Sequence, residues 1–145
     1  MRFEKIAMAL AAAAAVISFM AVFPMPSWWF EIQQFQVRDA VAGQRIILDY
    51  QRKIWRDFTG EWRVQIWRSE RGEWSSYCTA NGGPHGYRAD SVLPDPVTLE
   101  WLAYTQPRCY QLPKGTYYAA LHITVNSGGF MQRTVDAKSP SFEVR

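Results

Sequence analysis

Residues 116–126 constrain the fold more than any other stretch. Tyr117, Ala119, Leu121, Ile123 and Val125 alternate with Tyr118, Ala120, His122, Thr124 and Asn126. Successive side chains of a strand point to opposite faces, so a sustained period of two specifies a half-buried β-strand. Pro113-Lys114-Gly115 turns the chain into it, and Ser127-Gly128-Gly129 turns it out. The alternation recurs upstream. Ile46, Leu48 and Tyr50 oppose Asp49, Gln51 and Lys53, and Trp62, Val64 and Ile66 oppose Arg63, Gln65 and Trp67. Strands are expected over 30–37, 45–55, 61–68, 73–80, 97–101, 116–126, 130–137 and 141–144. Trp74, Ser76 and Cys78 share one face of the fourth, with Tyr77 on the other. Residues 103–112 return through Pro107 and Cys109, and Pro140 makes a bend or an edge. The reading is all-β: an antiparallel two-sheet sandwich of seven or eight strands over 30–145.

The N-terminus adds a second constraint. Residues 6–23 run without a charge, about eighteen residues, the lower end of what spans a bilayer. Arg2 and Lys5 precede them, offset by Glu4; Pro24, Pro26, Trp28 and Trp29 follow. A basic flank before an apolar run fits a cleaved signal or a retained anchor. The exit from Ser18 to Pro24 lacks the small-x-small pair of a cleavage site. Cutting among Ala11 to Ala15 leaves an apolar core of only about five residues, where 7–15 is usual. The expectation is a retained signal anchor, ahead of a cleaved signal and of a buried core helix. The sandwich is then preceded by one N-terminal transmembrane helix. The chain divides into an n-region 1–5, the anchor 6–23, a short linker 24–29 and the domain 30–145. Trp28 and Trp29 suit the headgroup layer. Basic residues stay on the cytoplasmic side. Arg2 and Lys5 therefore imply a cytoplasmic N-terminus and an extracytoplasmic domain, periplasmic in a Gram-negative cell.

The formal charge is +3 over 145 residues, and its positive members are scattered. Nucleic-acid binding needs a basic patch or stripe, so no nucleic-acid partner is expected. Aromatic residues reach 15%, which suits a β-rich core and leaves rings for an outer surface. Cys78 and Cys109 are the only cysteines. In an oxidising outer compartment they pair; the alternative is two separate buried thiols.

The phrase Leu112-Pro113-Lys114-Gly115-Thr116-Tyr117, leading into the alternating strand, resembles the penultimate strand of immunoglobulin-like and fibronectin-III-like domains. The resemblance implies an immunoglobulin-like sandwich in which Tyr117 ties down a corner. Cys78 and Cys109 depart from the antibody pattern, because they flank the long loop instead of bridging two strands across a central Trp. The layout of anchor plus small sandwich is similar to that of uncharacterised membrane-anchored proteins of bacterial and prophage genomes, a likeness that carries no activity.

Catalytic motifs are missing: there is no G-x-S-x-G elbow and no H-E-x-x-H. Residues 81–96 hold Gly82, Gly83, Pro84, Gly86, Pro94 and Pro96 and read as an irregular loop; loops of that length are often functional. His85, Arg88, Asp90 and Asp95 lie in it, but their spacing matches no metal site. No cofactor or metal is expected, and His85 reads as a solvated loop residue. Trp55, Trp67 and Tyr77 face outward on the expected strands, unless the loop covers them. Outward rings form protein interfaces or stack on sugars. The leading function is a membrane-anchored, non-catalytic module for contact with an unidentified protein. The alternative is a module binding a glycan or other cell-envelope polymer through Trp55, Trp67, Tyr77 and the loop, with His85, Arg88 and Asp90 as further contacts. An enzyme using Asp90 and Asp95 is the third reading.

Overall fold

The computed structural model describes residues 2–22, 29–126 and 132–145. Among the described residues helix α1 (Arg2–Val22) is followed by eight strands. These are β1 (Phe30–Val37), β2 (Ile47–Ile54), β3 (Phe58–Glu70), β4 (Glu73–Tyr87), β5 (Val97–Thr98), β6 (Gly115–Asn126), β7 (Gln132–Lys138) and β8 (Phe142–Val144). A short helix α2 (Leu99–Leu102) and a 3-10 turn (Pro107–Cys109) lie between β5 and β6. Three strands form one antiparallel sheet in the order β1-β2-β5. The other five form a second in the order β4-β3-β6-β7, with β8 also paired to β6. The architecture is therefore all-β with two antiparallel sheets. Strands one, two and five share a sheet opposite three, six and seven, the allotment of A, B, E and C, F, G in immunoglobulin-type sandwiches.

The alternating stretch sits where its sequence demands. β6 lies inside the large sheet, pairing with β3 along one edge and with β7 and β8 along the other. Tyr117, Ala119, Leu121, Ile123 and Val125 are all buried. They meet Val64 and Ile66 of β3 and Phe30, Val37, Leu48 and Tyr50 of the small sheet in one core. At one end Phe58 stacks on Tyr87 with centroids 4.7 Å apart, and Phe30 meets both rings edge-on. The Tyr117 hydroxyl donates to the Pro113 carbonyl at 2.8 Å, the corner contact that the resemblance implies. Ser139 and Pro140 step the last strand: β7 pairs with Ala120 to Asn126, β8 with Gly115 to Tyr117. At that step the Ser139 hydroxyl accepts from the Ala119 N–H and donates to the Pro140 carbonyl.

The anchor expectation is overturned. Residues 6–22 are helical, but among the described residues no helix is long and apolar enough to cross a membrane. The helix begins with charged residues, Arg2, Glu4 and Lys5, and five consecutive alanines fill its middle. Alanine methyl groups contribute little apolar area per turn, so the gain from burial in lipid is small. The transmembrane segment 6–23, the cytoplasmic N-terminus, the extracytoplasmic or periplasmic location and the membrane-anchored function fall with it. Trp29 is not a headgroup ring. It is 6% exposed in the core, with the Arg56 guanidinium 4.4 Å above its ring, and its carbonyl accepts from the Trp55 N–H. Trp28, the rest of the Pro-rich exit at 24–28, the turn expected at 127–129 and the first two residues of the strand expected over 130–137 lie outside the described residues.

Two further expectations change. β4 continues to Tyr87, so the irregular stretch shrinks from 81–96 to residues 88–96. The strand expected at 97–101 stops after two residues. Thr98 then caps α2, its hydroxyl accepting from the Trp101 N–H at 3.2 Å, while Leu99 and Leu102 are buried. A helix this short shows no apolar period in the sequence.

Cys78 and Cys109 form the disulfide, with Cα atoms 5.7 Å apart. β5 is an edge of the small sheet and β4 an edge of the large one. The bond pins the segment between β5 and β6 onto β4, so that segment bridges the two sheet edges. Closing about 32 residues stabilises the fold by about 3–4 kcal/mol in the loop-entropy account. Cys109→Ser, or reduction of the native chain, should lower the unfolding free energy by about that amount in urea titrations.

Candidate functional site

The bridge creates a pocket. Trp101 and Leu102 of α2 and Tyr104 just after it form one wall. Tyr50 and Arg52 of β2, Trp62 of β3, His85 and Tyr87 of β4, and Leu121 and Ile123 of β6 complete it. Both sheets thus contribute, and the cavity of about 210 Å³ opens between them.

Local sequence explains the walls. Trp62 and Gly82 are cross-strand partners. A Cβ on residue 82 would stand 2.7 Å from the Trp62 ring, so only glycine lets the indole lie across β4. Tyr104 meets the same indole at 5.6 Å between centroids while remaining 63% exposed, which makes it the lip. The Thr105 hydroxyl donates to the Asn81 carbonyl at 3.0 Å, holding the lip to β4. His85 stands edge-on to Tyr87 at 5.0 Å.

The floor is polar but protonated. Burial raises the pKa of the Tyr50 phenol, with Arg52 opposing. Burial also pushes Tyr87 far up, its neighbour Tyr50 adds to the shift, and Arg52 opposes it. The Arg52 guanidinium lies 5.6 Å from the Tyr87 ring centre and donates to the Ser91 hydroxyl at 3.2 Å. No carboxylate among the described residues pairs with it.

Of the residues read from the sequence as contacts, only His85 lines this pocket. Trp67 does face outward, but Tyr118 stacks on it at 5.9 Å. Trp74 meets Tyr118 edge-on at 4.8 Å, and the Lys138 ammonium sits 4.0 Å over the same ring. Tyr77 turns the other way. The register shift between Ile66 and Trp67 brings it onto Tyr117 at 5.8 Å, under Arg108 at 4.6 Å. Trp55 is 44% exposed with Lys53 over its ring, on the small sheet's side. Trp55, Trp67 and Tyr77 therefore form no row. Arg88 and Asp90 pair with each other at 3.1 Å in the open.

Sequence reasoning reads Tyr50 and Trp62 only as members of alternating strand faces, and does not single out Arg52, Tyr87, Trp101 or Tyr104. A signal existed: Trp101 and Tyr104 lie in the segment that the disulfide must draw onto β4. Among the described residues no three His, Cys, Asp or Glu side chains gather as a metal site. No protein-family model, curated protein or solved structure matches the chain.

The phenols give a pH signature. Tyr50, Tyr87 and Tyr117 are raised above the ordinary value of 10.0. Below that value folded and unfolded states both hold these protons. Above it the unfolded state loses them first, so stability falls as pH rises from 10 towards the folded values. A phenolate absorbance titration should show these three tyrosines ionising above the ordinary phenol value, with the urea midpoint dropping as pH rises past 10.

Proposed function

We propose that the chain is a non-catalytic binding module that takes one ring of its ligand into the pocket between the sheets. The observation that carries this reading is the lining: five aromatic rings besides His85, from both sheets and the bridge, around a space of about 210 Å³. A cavity of about 150 Å³ lined by apolar side chains already accepts benzene. Drug-sized sites run to about 300–1,000 Å³. The space here suits one substituted ring. Asp90 and Asp95, the acids considered for catalysis, lie outside the lining, and both floor phenols stay protonated at neutral pH.

A lone ring should bind on the order of millimolar, because few atoms carry the contact. Titrating benzyl alcohol into the labelled protein should shift amide signals at residues 50–52, 62, 85–87 and 101–104. Tyr104→Ala should weaken those shifts several-fold while changing stability by less than about 1 kcal/mol, since the ring is exposed. Shifts that are absent, or spread evenly over the surface, would refute the reading. A second reading rests on the outer face of the large sheet, where Trp67, Tyr118 and Trp74 lie together and Trp74 is 42% exposed. Such a platform can stack on sugar rings. Shifts confined to it on adding a soluble glycan oligomer would favour that face.

A further inference from the structure

We propose that the pocket's ligand is a small aromatic acid, a planar ring whose carboxylate is taken by Arg52. This rests on the pocket reading above and adds the ligand's charge. An aromatic cage by itself suits a neutral ring or a cation such as a quaternary ammonium, since ring faces attract positive charge. Arg52 decides between them. Among the described residues it is the one lining side chain with a fixed charge, and that charge is positive. It repels a cation and attracts an anion.

The guanidinium is held but not neutralised. It donates to Ser91, interacts with the Tyr50 hydroxyl and lies beside the Tyr87 ring, and no carboxylate among the described residues answers it. Five N–H donors in a planar fork exceed what those partners use, and the fork matches a carboxylate in two parallel hydrogen bonds. Arg38, Arg68, Arg88 and Arg145 each have a carboxylate, on Asp49, Glu70, Asp90 and Glu143; what sets Arg52 apart from the fold's other cations is its place in the pocket lining. The acids of the neighbouring surface do not reach in, since Glu61 and Glu100 line other hollows. The lipophilic half of the ligand meets Trp62, Trp101, Leu102 and Ile123. The volume limits that half to about one substituted ring.

The test uses the whole chain and two probes of one shape: 3-phenylpropionate and its neutral amide. Amide-shift titrations give both dissociation constants. The wild-type chain should bind the acid about tenfold more tightly than the amide, about 1.4 kcal/mol. Arg52→Met keeps the apolar stem and should erase that gap while leaving the amide's affinity unchanged. Arg52→Lys keeps the charge without the fork and should restore part of the gap. Circular dichroism and thermal melting confirm that each variant folds. If acid and amide bind wild type equally, or the gap survives in Arg52→Met, the anion assignment is wrong and the ring pocket stands. If 3-phenylpropyl-trimethylammonium binds more tightly than either, the cage takes cations and the assignment is again wrong. If no probe binds at the pocket, both readings fail together.

Discussion

The bond between Cys78 and Cys109 is the constraint on which the pocket depends. A two-sheet sandwich holds itself together through its core, but its flanks are open wherever edge strands face each other. Here the edges are β5 and β4. The chain leaves β5 through α2, and at Cys109 the disulfide returns it to β4. Cys109 is wholly buried, so the staple lies beneath the bridge. What would otherwise be a long, loose connection becomes a wall with Trp101 and Tyr104 fixed in it. The Thr98 cap and the Thr105 hydrogen bond set the two ends of that wall.

The pocket also uses a substitution of bulk for space. Gly82 yields the volume that the Trp62 indole occupies, and Trp62 in turn supports Tyr104. Tyr50 and Tyr87 carry hydroxyls into a region that already excludes most water, which is why both resist ionisation. Polar floor, aromatic walls and one uncompensated guanidinium make a site able to orient a ligand.

Much of the sheet structure was legible in the sequence, because period-two alternation reports burial directly. β6 and its inward set and the outward direction of Trp67 follow from residue order. The Tyr117 corner comes from the resemblance alone, and the pairing of Cys78 with Cys109 is expected from an outer compartment that falls with the anchor, although the bond itself is present. The extent of β4 was not legible. Gly82, Gly83, Pro84 and Gly86 read as loop, yet Gly82 marks the close approach of a ring across a paired strand. α2 is too short to show a helical period. The N-terminal run misled for a different reason: a count of uncharged residues does not weigh alanine against leucine, and the helix carries charged residues at its start. Trp29 misled by position alone, since its neighbourhood in sequence suggested lipid while its actual cover is Arg56 and the core. The pocket itself joins residues far apart in the chain, and no local pattern marks such a set.

The central claim is that the stapled bridge holds Tyr104 against Trp62 and so shapes a cavity between the sheets. Proton–proton nuclear Overhauser effects between those two rings test it most directly. They should be strong in the oxidised chain and disappear after reduction while the β6 core contacts of Leu121 with Val64 persist. Absence of the ring contacts in the oxidised chain, or their survival unchanged after reduction, would contradict the account.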